Sequence, residues 1–307
     1  MNYTDTQHFI LTRFNILLWN KDKERQPVRT VKWLEHRFEL FENYCLPSVK
    51  NQTCKKFEWI VLFDSSTPER LKESIKEWQK ECPQLIPVYV APKDGYLFAH
   101  IFREEVVRRL RSSSTSEVAK PSASTSTGSA SVHEFKGRVL TTYLDNDDAL
   151  NVRFVGDLQK RVRSLADGTF IYYVNGYQYF TDHQYLMKRH YPRNHFVSVV
   201  ESGNPATVKT IYGFGSHYYI DKIKGAKIEY VKNLLMWCQV VHEKNMGNDA
   251  YSLRVKMEKD SETLRRDFSI DKTVRYGAEI FLFRFFPRYV KTFVRRVKIK
   301  LRGYRFE

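Results

Sequence analysis

The sequence predicts an α/β fold with a mostly parallel central sheet flanked by helices, an antiparallel extension and a C-terminal helical tail. Three observations point there. Up to about Arg111, β-prone and helical runs alternate: "HFILTRFNILLW", "VKWLEHRFELFENYCLPSVK", "FEWIVLFD", "TPERLKESIKEWQKECP" and "IPVYVA". Strand, helix, strand, helix, strand is the pattern of βαβ units on a parallel sheet. Further on, short aromatic runs with Gly and Asn turns, such as "FIYYVNGYQYF" and "IYGFGSHYYI", read as antiparallel strands. Last, apolar residues recur at three and four through Phe286, Val290, Phe293, Val297 and Leu301, which is one face of a helix.

Each element has a local reason. In the first helix Trp33, Leu34, Arg37, Phe38, Phe41 and Tyr44 make one face for packing on the sheet. The second helix starts at "SSTPER", with Ser66 or Thr67 as N-cap and Pro68 in the first turn. The run 112–131 has 12 Ser or Thr among its 20 residues and no aromatic, so it cannot bury enough surface to offset its ordering entropy. It reads as a disordered insertion. Four zones follow: 1–111, the first half of one domain; 112–132, the insertion; 133–275, the second half of the same domain; and 276–307, a basic amphipathic tail. From Phe281 to Glu307, nine residues are Lys or Arg and eight are Phe or Tyr.

Composition limits the function. The 307 residues carry a formal charge of +16, which suits phosphate-bearing partners such as a nucleotide, an anionic lipid or nucleic acid. No apolar run reaches the roughly 20 residues needed to span a bilayer, and the N-terminus does not read as a signal peptide. Cys45, Cys54, Cys82 and Cys238 form no CxxC pair, which speaks against zinc and for a reduced, cytoplasmic chain.

The chemistry concentrates in "TTYLDNDDALN". A β-prone run ends in Asp145, Asp147 and Asp148, three acids within four residues. Carboxylates this close repel one another unless a cation lies between them. Earlier, "FEWIVLFDSSTPE" ends a buried strand in Asp64. Ligands of open α/β sheets bind at such strand ends, so Asp64 is placed for a ribose or base; a turn or helix-cap aspartate is the competing reading. Thr12 and Arg13 close the first strand, where Arg13 fits a diphosphate or base, or else a surface ion pair.

"LPSVKNQTCKKFEWIVLFDSSTPE" resembles the opening of family-2-type glycosyltransferases of the GT-A fold, which is Rossmann-like. "FILTRFN", "WLEHRFELFENYCLPSVKNQTCKKFEWIVLFD", "TTYLDNDDALN", "VNGYQY" and "WCQVVHEKN" are similar to bacterial rhamnosyltransferases. The likeness runs from about Phe9 to Asn245 without the insertion. It implies transfer of a sugar, rhamnose or another hexose, from a nucleotide-sugar donor to a glycan or lipid-linked acceptor. By the same resemblance "DNDD" is a DxD motif, with Asp145 facing the donor sugar and ribose and Asp147 holding Mn²⁺ or Mg²⁺. Asp148 either assists or caps a helix near Ala149. His242 is a further metal ligand or a structural histidine. An inverting displacement needs a carboxylate base, for which Glu201, before Gly203, and Asp249 are the candidates. Tyr172, Tyr173, Tyr177 and Tyr179 line an acceptor or, more simply, the core.

Other readings stay open beside this one. The charge and aromatics allow a nucleic-acid-binding protein, although no known module is present. Another metal-dependent nucleotide-processing enzyme is a third, against which stands the lack of a Gly-rich phosphate loop. The expected location is cytoplasmic, with the basic tail on an anionic membrane surface or packed on the domain.

Overall fold

The computed structural model describes residues 5–18, 30–116, 135, 137–242 and 255–301. The run 117–131 of the expected insertion lies outside them, as does Asp249. The first five residues of the expected insertion, 112–116, belong to a helix instead.

In the first half the expected alternation holds. β1 (Thr6–Arg13) is followed by α1 (Val31–Leu40), a π-helical turn over Phe41–Cys45, and α2 (Leu46–Lys50). The Thr30 side chain caps α1 by accepting from the Trp33 N–H at 3.2 Å. Then come β2 (Glu58–Asp64), α3 (Glu69–Glu81), β3 (Leu85–Val90) and α4 (Phe98–Ser116). Pro68 is itself the N-cap position of α3, and the Thr67 hydroxyl donates back to the Asp64 carbonyl at 2.7 Å. The cap expected from Ser66 or Thr67 is therefore a turn locked onto the end of β2.

The second half holds β4 (Arg138–Tyr143), β5 (Ala149–Leu150), α5 (Phe154–Val162), β6 (Thr169–Phe180), β7 (Tyr185–His190), β8 (Ser198–Ser202), β9 (Lys227–Val241) and β10 (Val255–Met257). The short α6 (Thr263–Phe268) and α7 (Ala278–Ile280), a second π turn at Phe281–Phe285, and α8 (Phe286–Leu301) complete the chain.

All ten strands form one sheet in the order β10-β7-β6-β8-β4-β1-β2-β3, with β9 bridging β5 and β6. β1 pairs in parallel with β2 and β4, and β2 with β3. β8 runs antiparallel to β4 and β6, and β7 is antiparallel to β6 and β10. The sheet is thus mixed rather than mostly parallel. β6 and β9 are parallel neighbours, which the expected antiparallel extension did not include. Their pairing is broken by irregularities around Asn175, and a Cβ on Gly176 would strike the Trp237 ring. Only glycine permits that approach.

The central strands are buried on both faces. Ile10, Trp59, Val61 and Phe63 pack under α1 and α3, while Phe9, Leu11, Ile60 and Leu62 pack under α4. Strand order reverses at β1, whose neighbours are β2 on one side and β4 on the other. The carboxyl ends of β1 and β4 open there, at the position where open α/β sheets bind ligands.

Candidate functional site

Register builds this site. Leu11 lies opposite Tyr143. Two residues further on, the same offset brings Arg13 beside Asp145. Arg13 Nη2 donates to the Tyr143 hydroxyl at 2.5 Å and lies 3.7 Å from Asp145 Oδ1. The Tyr143 hydroxyl donates to Asp145 Oδ1 at 2.9 Å. The Arg13 guanidinium sits 4.9 Å above the Phe98 ring and 5.2 Å above that of Tyr212, an aromatic box that holds its charge in place. Asp145 is the most open of the three acids, with 35% of its side chain exposed.

After Asp145 the chain turns, and the next two acids point to different partners. Asp147 Oδ2 accepts from Arg37 Nη1 at 2.8 Å and meets His242 Nε2 at 3.0 Å. Both contacts fall on one oxygen; Asp147 Oδ1 has no hydrogen bond among the described residues. Arg37 Nη1 also donates to Asn146 Oδ1 at 3.2 Å, and Asn146 in turn donates to the Phe14 carbonyl, so the turn is stitched to α1 and β1. Burial opposes charge on Asp147, but Arg37 and His242 outweigh it and hold the carboxyl well below its usual range.

Asp148 is spent differently. Its Oδ1 accepts from the Val240 N–H at 2.8 Å, and its Oδ2 meets His195 Nε2 at 2.6 Å. Both oxygens are committed, and the side chain is 4% exposed. Burial pushes its carboxyl up; His195 works against that push, and Asp147 and Asp145 add to it. For His195, burial opposes the charged form, and the bond to Asp148 more than offsets it, so the imidazole sits above its ordinary range. Asp148 caps no helix: Ala149 and Leu150 form a strand paired with Cys238 and Trp237. Asp145, Asp148 and His195 bring one ligand atom each within 4.8 Å of one another.

Other expected residues lie elsewhere. Glu201 pairs with Val139, at the far end of β4. Six residues separate Val139 from Asp145, about 20 Å at strand spacing. Because β8 runs against β4, it is the start of β8, near His195, that adjoins the acidic turn. The Glu201 carboxylate accepts from the Lys209 and Thr210 N–H groups at 2.8 and 2.9 Å and so fastens a loop. Thr12 is fully buried, with its Oγ1 accepting from Trp59 Nε1 at 2.9 Å. Asp64 is buried at the end of β2, where its Oδ1 accepts from the Ser66 N–H at 2.8 Å, and its own N–H donates to Asn15 Oδ1 at 2.9 Å. The turn reading accounts for these contacts. Tyr172, Tyr173, Tyr177 and Tyr179 are core residues; Tyr173, for instance, donates to Asp157 Oδ2 at 2.6 Å.

Arg37 and His195 carry little signal in the sequence. By spacing, Arg37 is one more position on the sheet-facing side of α1. His195 opens "HFVSVVES", a run whose apolar character hides the histidine at its head. Its only signal is that place: an antiparallel partner of β4 must begin where β4 ends.

The family profile described as "Putative rhamnosyl transferase" matches residues 7–121. That match bears out the resemblance drawn from the sequence over those residues, which are fewer than half of the chain. No curated protein matches the chain. Similar solved structures include S. aureus TarS, at 9% identity and a TM-score of 0.35, covering 78% of this chain and 37% of that one. Its segment 1–349 is 10% identical with a TM-score of 0.38, covering 77% of this chain and 60% of that one. The chain therefore spans less than two thirds of either, and likenesses this distant support no statement about its activity.

Proposed function

From the match of residues 7–121 to that glycosyltransferase family, we propose that the acidic turn is the donor site of a metal-dependent GT-A-type transferase. It would move a sugar, rhamnose being the first to test, from a nucleotide-sugar to a glycan or lipid-linked acceptor. One observation carries this reading: at the carboxyl ends of β1 and β4, Asp147 has one carboxylate oxygen that makes no hydrogen bond among the described residues, while the other meets His242. The donor set fits a cation that takes one or two carboxylates, an imidazole and phosphate oxygens. Asp147 and His242 would hold Mn²⁺ or Mg²⁺, which would supply charge stabilisation to the departing diphosphate; Asp145, whose carboxylate groups with Asp148 and His195 and not with them, would reach that ion only after a shift of the turn.

The chain's own residues do the rest. Arg37, fixed by Asn146, keeps Asp147 ionised and adds a second positive charge on the diphosphate side. Arg13, boxed by aromatic rings, faces Asp145 and is positioned for the donor's phosphate or sugar. Asp148 and His195 hold the turn to β9 and keep its backbone rigid. For an inverting displacement Glu201 is badly placed, and Asp249 is the remaining candidate base.

A second reading follows from the close grouping of Asp145, Asp148 and His195. Those atoms can hold a cation too, but Asp148 would first have to give up its contacts to Val240 and His195. The test of the function is a donor screen. With Mn²⁺ and a panel of nucleotide-sugars, one donor is bound and slowly hydrolysed, and EDTA stops it. Binding of none, or full hydrolysis without metal, contradicts the proposal.

A further inference from the structure

We propose that α8 is a docking helix for an anionic lipid surface and that it seats the acidic turn against that surface. The helix is anchored at its root. Ile280 and Phe285 are buried with Phe180, Tyr185, Val241 and Met257 at the ends of β6, β9 and β10. Arg288 lies 4.2 Å over the Phe180 ring. Beyond that root an apolar stripe stays exposed: Phe286, Val290, Phe293, Val294, Val297 and Leu301 are 40% exposed or more. At 3.6 residues per turn these fall on one side of the helix, and Arg288, Lys291, Arg295 and Lys298 fall opposite or flank it.

Charge decides the occupant. No Asp or Glu occurs between Glu279 and Glu307. A second copy of this chain would set like charges together around the buried stripe, at a cost. Nucleic acid would satisfy the cations and leave the phenyl and isopropyl groups in water. A bilayer with anionic headgroups satisfies both: the stripe enters the acyl boundary while the cations meet the headgroups. No helix among the described residues is long and apolar enough to cross a membrane, so the helix would lie in the surface.

The root gives this docking a consequence. Val241, which packs with the root of α8, directly precedes His242, which contacts Asp147. A helix lying in the interface therefore holds the rim of the turn close to the headgroups, where a lipid-linked acceptor would be met. That last step rests on the glycosyltransferase reading; the lipid binding does not.

Co-sedimentation of the full chain with vesicles tests it, using phosphatidylcholine with and without phosphatidylglycerol. Binding should require phosphatidylglycerol. Two variants should each weaken it about tenfold or more: Phe293→Ser with Val297→Ser, and Lys291→Glu with Lys298→Glu. All four side chains are exposed, so the fold should be retained. Equal binding to neutral vesicles, unchanged binding in either variant, or a variant-sensitive dimer without vesicle binding would overturn the proposal. Hydrolysis of the donor in solution, measured on the same variants, should be unchanged. A chain that hydrolyses no donor yet binds these vesicles would refute the enzyme reading alone.

Discussion

Asp147 and Asp148 are neighbours in sequence and opposites in environment. Asp147 shares one oxygen between a permanent cation and a histidine, and its other oxygen makes no hydrogen bond among the described residues. Asp148 commits both oxygens, one to a backbone N–H and one to His195. Adjacent carboxylates thus divide the work: one can take a ligand, the other ties the turn to β9. The electrostatic signs differ as well. The site holds the Asp147 carboxyl below its usual range and both members of the Asp148–His195 pair above theirs.

The contrast can be broken most forcefully at Asp147. Asp147→Asn should lower metal-dependent donor hydrolysis by about 10²–10³-fold, the scale for losing a charge-stabilising group. Its urea unfolding curve should remain close to that of the parent. Comparable hydrolysis in the variant would end the assignment. Asp148→Ala should do the reverse in kind. It leaves buried His195 without its partner and should cost about 3–5 kcal/mol of unfolding free energy. A curve superimposable on the parent would show that the pair holds nothing.

Arg37→Met sharpens the same comparison from the other side. Donor affinity in the presence of metal should fall by about tenfold, the scale of one charge-assisted contact, whereas Mn²⁺ binding without donor should be no weaker. Weaker Mn²⁺ binding would mean that Arg37 organises the ligands rather than meeting the donor.

pH supplies the smallest effect and the clearest sign. Asp148 and His195 both sit above their ordinary values, so the fold holds protons there that the unfolded chain releases. The stability His195 brings is complete below its unfolded value and is lost as pH rises through its folded one. Charging Asp148 also costs stability as pH rises. Between pH 5 and 8 unfolding free energy should therefore fall, by about 1 kcal/mol, and His195→Gln should flatten that slope. Asp147, held low, contributes stability that disappears only as pH falls below the ordinary aspartate range. A rise in stability from pH 5 to 8 that vanishes in His195→Gln would contradict the assignment.

Local patterns were what the sequence made legible. The alternation of β1 to β3 with α1 and α3, the strand that ends in the acidic cluster, and the apolar stripe of α8 all follow from periodicity within one segment. The meeting of Asp147 with His242 came from resemblance and lies in the geometry. What escaped depended on pairing. Glu201 ends an apolar run as expected, but β8 runs against β4 and carries it to the far end of the sheet. The same reversal delivers His195, which no local pattern marks. Arg37 escaped because a helix face that packs on a sheet also reaches past its edge, and spacing alone does not say where the edge is. Of the two readings of Asp148, assisting the site or capping a helix, the cap fails at a strand of two residues, which nothing local announces.

One titration tests the central claim, that the open oxygen of Asp147 and not the Asp148–His195 pair is where the cation sits. Mn²⁺ binding, followed by electron paramagnetic resonance of the free ion, is to be compared for the parent chain, Asp147→Asn and Asp148→Asn. Loss of an ionised ligand should weaken binding about tenfold or more in Asp147→Asn. Asp148→Asn, which keeps an acceptor for Val240, should bind nearly as the parent does. Weak binding in Asp148→Asn with Asp147→Asn unaffected would move the cation to Asp145, Asp148 and His195 and contradict the account.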